Sequence, residues 1–266
     1  DLQHEIFNIL FDRKLALAPV GEPAHVLDIA TGTGIWAFEF AEAHPISTVV
    51  GTDLSMIQPS ALRLLPNCSF VREDSEEPWV FDYKFDYVHA RAVVSCFNDT
   101  RVVLARAFEG MNEGGWIEFQ DINMDVRSID HTLEGTAVQE WFRTVRRGFA
   151  SIGRDVDRPL FYKQWFLEAG FVDVEEKCFP IPLNQWPESP KSKEVGRFQH
   201  ANACDGIPGV SAKVLPLAGL SSAEAQDLSA RAVRDSGNTR IHAYTPLYVV
   251  YGRKPFATKR TQQLVG

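Results

Sequence analysis

No pair of cysteines in this sequence stands at C-x-x-C spacing. Cys68, Cys96, Cys178 and Cys204 are scattered, which argues against both a zinc clasp and a disulfide framework and suits reduced thiols. No apolar run reaches the roughly 18 residues of a membrane-spanning helix, and no signal peptide is visible. Positive charge is short: 27 Lys and Arg stand against 35 Asp and Glu, a net charge of −8, and a general nucleic-acid binder would need a basic face instead. Internal repeats and low-complexity tracts are absent too. The chain opens at Asp1, without Met, inside a helical pattern, so a natural N-terminus is expected to precede it, and targeting signals there are not legible. A cytoplasmic protein with no membrane, nucleic-acid or metal partner is the expectation from this composition.

What is present is ordinary for a soluble globular chain: 266 residues, 45% hydrophobic and 23% charged, enough for one large α/β domain or a domain with a cap. Residues 2–18 read as an amphipathic helix ended by Pro19 and Gly21. Strands are expected at 25–30, 47–53, 68–73, 85–93 and 114–121. Between them fall a helix over 33–43, a short segment around 56–64 and a helix near 100–111. This alternation predicts a parallel sheet with helices on both faces. Beyond it, helices are expected over 130–152 and 158–169, then strands over 171–179 and 243–252 that form a reversed hairpin at the sheet edge. Between those two strands lies a helical insertion, 184–236, loosened by Pro187, Pro190, Pro208 and Pro216, with Pro182 at its entry. An insertion of that length is expected to act as a lid or substrate wall.

The most informative stretch is His25-Val26-Leu27-Asp28-Ile29-Ala30-Thr31-Gly32-Thr33-Gly34-Ile35-Trp36-Ala37. An apolar strand meets an acid, then a glycine loop, then a helix, and a second strand ends in Gly51-Thr52-Asp53. A strand, glycine loop, helix and strand-end acid in that order bind a nucleoside, because glycines let the backbone approach the ligand and the carboxylate holds ribose hydroxyls. The loop also satisfies the G-x-G-x-x-G/A dinucleotide pattern, a weak signal alone, and a plain turn that needs positive φ is the bland alternative. Two features favour S-adenosylmethionine over a nicotinamide dinucleotide. Asp28 would repel a pyrophosphate yet suits an ammonium and a sulfonium. Asp74, at the end of a third strand, can accept from an adenine amino group, although a turn or cap role is the alternative there.

These residues resemble the class I S-adenosylmethionine-dependent methyltransferases, and within them the fungal secondary-metabolism family related to the velvet-associated global regulators. The resemblance is carried by Leu2-Gln3-His4-Glu5, Val26 through Trp36, Gly51-Thr52-Asp53-Leu54-Ser55 with Gln58-Pro59, and Glu73-Asp74-Ser75-Glu76-Glu77-Pro78-Trp79. It continues in Phe85 through Arg91, Gly114-Gly115-Trp116-Ile117-Glu118, Trp186-Pro187 and Lys193-Glu194-Val195-Gly196. It implies a Rossmann-like α/β fold with a mostly parallel seven-stranded sheet and a helical cap. It further implies one methyltransferase domain over 1–266, with an N-terminal helix in 1–20, a cofactor core in 21–125 and cap segments 126–170 and 184–236. Ala30 departs from the family pattern, which commonly has glycine there.

By this resemblance the cofactor is S-adenosylmethionine, with S-adenosylhomocysteine as product. Asp53 would hold the ribose, Leu54 would pack on the adenine, and Asp74 with Ser75 would read its edge. Asp28 and the loop Ala30, Thr31, Gly32 and Gly34 would face the methionine portion, with His89 and Ala90 beside its amino group. A hydroxyl acceptor usually needs a base nearby, and His131, His89 and Asp121 are the candidates. Each has a bland reading: a surface histidine, a structural hydrogen-bonder and a turn or cap, respectively. Trp141, Phe142, Phe149, Trp186 and Phe198 are candidates for an apolar substrate wall, against the alternative of ordinary core. Arg143, Arg146 and Arg147 read as a solvated helix face. The expected function is O- or N-methylation of a small molecule in fungal secondary metabolism. The alternatives are a regulator acting through protein partners in the nucleus, or a cofactor-retaining cyclase that transfers no methyl group.

Overall fold

The computed structural model describes residues 2–58 and 65–257. The helix α1 (Leu2–Leu10) leads into β1 (His25–Ile29), α2 (Ile35–Ala43), β2 (Thr48–Asp53), β3 (Cys68–Arg72), β4 (Phe85–Arg91), α3 (Thr100–Gly110) and β5 (Met111–Ile122). A short strand β6 (Arg127–Ser128) precedes α4 (Ala137–Ser151) and α5 (Tyr162–Glu168). Then come β7 (Val172–Pro182), α6 (Pro190–Val214), α7 (Ser222–Ser236) and β8 (Ala243–Arg253).

The sheet runs β3-β2-β1-β4-β5-β8, with β7 on the far side of β8. β1 to β5 pair in parallel, and β8 lies antiparallel to both β5 and β7. The expected parallel sheet and terminal reversed hairpin are both there. Among the described residues one strand more than the expected seven is present, because Arg127–Ser128 continues the pairing of β5 along β8. Strand order reverses at β1, between β2 and β4, and such a switch point opens a crevice at the carboxyl ends of the strands.

Alternation along the buried strands feeds two cores. Val26, Val49 and Tyr87 face α2 through Trp36, Ala37 and Phe40. Leu27, Val50 and Val88 face α3 and α5 through Val103, Leu104 and Phe166. A third core joins α4, α6 and α7 into the cap, with Trp141, Phe142, Val145, Ile207 and Leu228 inside it.

The first helix is half as long as the periodicity suggests. Asp12 and Arg13 turn left-handed (φ 53° and 65°), which ends it after Leu10. The chain from Leu15 to Ala18 is then pinned from the core. Trp36 Nε1 donates to the Leu15 carbonyl, and the fully buried Glu118 carboxylate accepts the backbone N–H groups of Leu17 and Ala18. The cap helix expected from 130 begins only at Ala137, with Thr136 as its N-cap. The segment expected over 56–64 lies mostly outside the described residues. Among the described residues, no helix is long and apolar enough to cross a membrane.

Candidate active site

Two adjoining cavities lie at the carboxyl rim of the sheet. The first, about 570 Å³, is a crevice bordered by the glycine loop and the strand ends. Along the rim its residues follow the strand order: Glu73, Asp74 and Ser75 beyond β3, Asp53 and Leu54 at β2, Asp28 on β1, and Arg91 and Ala92 at β4. Ala30, Thr31 and Gly32 form its floor.

Local geometry explains why the loop has this sequence. Gly32 and Gly34 hold φ of 58° and 79°. A Cβ on Gly34 would lie 2.5 Å from the ring of Phe70, so only glycine fits. Ala30 also adopts a positive φ, 52°, as does Ala92 at 57°; both are strained for an L-residue, and both border the crevice. The departure from glycine at position 30 therefore stores strain beside the crevice.

Asp53 is fixed by two backbone donors, Gly32 N–H to Oδ2 and Ser55 N–H to Oδ1, both at 2.9 Å. Each oxygen keeps a lone pair for a further donor. Asp28 accepts from Thr31 Oγ1 at 2.5 Å and pairs with His89 Nδ1 at 2.8 Å. Asp74 accepts the Glu76 N–H, so the turn role and the position at the crevice coexist in one side chain. Leu54 is 58% exposed at the mouth of the crevice.

Arg91 and Glu73, not singled out from the sequence, complete this crevice. The Arg91 guanidinium contacts His4 Nδ1 at 2.8 Å and lies over the ring of Phe7. Burial lowers its pKa to about 10, against the pull of Asp28 and Glu39, so it stays cationic at neutral pH. Among the described residues it forms no ion pair with a carboxylate. Glu73 Oε1 is buried without a hydrogen-bond partner, and burial raises its carboxyl above the usual range while the Val80 N–H opposes it. Arg91 and Glu73 lie in the stretches that carry the family resemblance, but nothing in local periodicity marks a side chain that turns into a cleft.

The second cavity, about 330 Å³, lies under the cap and shares Gln3 and Ala92 with the first. Trp141, Phe142 and Phe149 line it, as do Gln199 and Thr245. Asp121 reaches it from the end of β5. Its carboxylate is fully buried and accepts Tyr162 Oη–H at 2.6 Å and the Val94 N–H at 3.1 Å. Burial pushes its pKa up to about 7, although Tyr162, the N–H groups of Val94 and Val93, and Arg158 pull the other way.

Several sequence expectations land elsewhere. His131 has a side chain 92% exposed, paired with Glu134, and borders neither cavity. It falls in the turn before α4 rather than in the helix that would have aimed it inward. His89 is wholly buried beneath the rim, stacked on Trp36 at 3.7 Å and hydrogen-bonded to Asp28. It can orient Asp28 but borders neither cavity; Ala90 is likewise below the floor, and Arg91 and Ala92 occupy the rim instead. Trp186 donates to the Ala243 carbonyl and lines neither cavity. Phe198 packs on the core near α1 and under Arg197. Of the arginine cluster, Arg146 pairs with Asp125 and Asp157.

A doubly wound sheet with a glycine loop and strand-end acids gathered at its switch point is a Rossmann-like nucleoside-binding fold. Comparison with known proteins narrows the class. The methyltransferase domain family matches residues 2–176, and the chain belongs to that family; it is a class I S-adenosylmethionine-dependent methyltransferase. It is 34% identical over 261 residues to the probable methyltransferase tdiE of Emericella nidulans, covering 96% of this chain and 81% of that protein. It is 28% identical over 271 residues to the protein-methionine methyltransferase laeA of the same organism, covering 96% of this chain and 69% of the other. In fold it is similar to Haemonchus contortus phosphoethanolamine N-methyltransferase 2, solved with phosphomonomethylethanolamine and S-adenosylhomocysteine. That match has a TM-score of 0.57 and 17% identity, over 95% of this chain and 53% of that one.

Proposed function

We propose that this chain methylates an oxygen or nitrogen of a small molecule in fungal secondary metabolism. The adjoining cavities carry the reading: Gln3 and Ala92 belong to both walls, so a donor in the crevice and an acceptor under the cap would meet there. When bound, S-adenosylmethionine supplies an electrophilic methyl group on a sulfonium. The residues fit it in a polar order along the rim. Asp53, with one free lone pair on each oxygen, suits the ribose diol. Glu73, Asp74 and Ser75 lie on the adenine side, where the unpartnered Glu73 Oε1 can accept a hydrogen bond, and Leu54 covers the base. On the other side Asp28 and Arg91 stand together, an acid for the ammonium and a guanidinium for the carboxylate of the methionine portion. The loop of Ala30, Thr31, Gly32 and Gly34 leaves room for the chain between them. Alignment and exclusion of water then do most of the catalytic work.

Of the three candidate bases, Asp121 is the one in the cavity wall, and its ionised carboxylate would take the proton that the acceptor gives up. The similarity to laeA favours a second reading, regulation through protein partners, which predicts stoichiometric capture of a protein and no methylated small molecule. Calorimetric titration with S-adenosylhomocysteine tests the crevice. Asp53→Ala is expected to weaken binding about a hundredfold, the loss of hydrogen bonds to a charged acceptor. Unchanged affinity would remove Asp53 from the site.

A further inference from the structure

Resting on the methyltransferase reading, we infer that the cavity under the cap takes a compact, uncharged aromatic molecule presenting an O–H or ring N–H donor, and turns away anionic acceptors. Its walls are chiefly apolar, with the rings of Trp141, Phe142 and Phe149 exposed to it. Trp141 is not free to rearrange, since its Nε1 donates to Ser211 Oγ at 2.8 Å. A volume of about 330 Å³ is at the small end of ligand cavities. Fused rings fill such a space; a long flexible chain would surrender more conformational freedom to enter it.

The charge in the wall is of one sign. Among the described residues, no Lys, Arg or His lines the cavity, and its single ionisable carboxyl is Asp121. Thr245 Oγ1 and Gln199 Oε1 are buried with no hydrogen-bond partner. Asp121 spends one lone pair on Tyr162 and one on Val94, which leaves it able to accept again. Each of these three oxygens can accept from a ligand donor, and the Thr245 hydroxyl can also donate. A carboxylate or phosphate ligand would set negative charge against Asp121 in an apolar enclosure with no cation to offset it. A protonated amine would pair with Asp121 but would have to give up a proton to it before its nitrogen could attack.

The test uses the full chain saturated with S-adenosylhomocysteine, titrated by calorimetry with 2-naphthol and with 2-naphthoate. Saturable binding of 2-naphthol is expected, with 2-naphthoate about tenfold weaker or worse. Ala203→Trp, which fills the cavity from α6, should abolish 2-naphthol binding while S-adenosylhomocysteine still binds. Should that variant fail to fold, Gly206→Trp serves, because no atom lies within 4 Å of where its Cβ would stand. Asp121→Asn should narrow the gap between the two probes, a change that a purely structural role for the carboxylate would not produce. Three outcomes overturn the inference: no binding of 2-naphthol, equal or tighter binding of 2-naphthoate, or 2-naphthol binding that survives the cavity-filling variant. Failure of S-adenosylhomocysteine itself to bind would strike the crevice reading instead.

Discussion

Asp121 is held where folding and chemistry ask for opposite things. Its carboxyl titrates near 7 in the fold, against about 3.9 in an unfolded chain. Between those values the folded state keeps a proton that the unfolded state has lost. The stability this group contributes is therefore full below the unfolded pKa and falls as pH rises through the folded one. Asp121→Asn, which never ionises, should raise the unfolding free energy at pH 8 by about a few kcal/mol, and change it little at pH 4, while turnover falls. Equal shifts at the two pH values would refute the buried-carboxylate account. Arg91 makes a separate claim. Arg91→Ala should weaken S-adenosylhomocysteine about 10- to 100-fold yet leave 5′-methylthioadenosine, which lacks the amino-acid portion, unaffected. Parallel losses for both ligands would mean that Arg91 supports the fold rather than a carboxylate.

Elements show where sequence pattern and packing part company. α6 runs unbroken through Pro208, although proline removes one helical donor and was expected to loosen the segment. Its buried side meets the core beside α1 through Val195 and the rest of the cap through Ile207 and Val214, which outweighs the missing bond. The entry is well defined: Pro190 stands in the first turn and Ser189 caps the Ser192 N–H. Gly196 marks the closest approach of the helix, since a Cβ there would fall 1.9 Å from the Asn184 carbonyl oxygen. Gly196→Ala should cost about 1–3 kcal/mol, read as a lower denaturation midpoint at unchanged slope. Gly209→Ala on the same helix meets open space and should cost nothing. A normal midpoint for Gly196→Ala would disprove the tight contact.

Across the whole molecule the cofactor crevice is built from the parallel sheet and the acceptor cavity from the cap, with α1 touching both through Gln3. Ties between these parts are polar and specific. Arg158 donates to the carbonyls of Phe97 and Asn98, and within the cap Asp235 of α7 accepts the first N–H groups of α4. A ligand that binds only the folded chain adds to its stability by mass action. S-adenosylhomocysteine at a hundred times its Kd should add about 2.7 kcal/mol to unfolding, and Asp53→Ala at the same concentration should lose most of that gain. A Tm unmoved by the ligand would place its site elsewhere.

Sequence alone determined the parallel sheet, the glycine loop and the acids at Asp28, Asp53 and Asp74. These are local facts: a buried parallel strand is an apolar run, a crowded left-handed loop favours glycine, and the acids stand at or just past the strand ends. The extent of α1 was not legible, because left-handed Asp12 and Arg13 and the distant Glu118 decide it. Tertiary structure alone decided that His131 faces solvent, that His89 lies beneath the rim, and that Arg91, Glu73 and Asp121 turn into cavities. The direction of a side chain at a strand end depends on what packs against it from remote parts of the chain, and no spacing along the sequence records that.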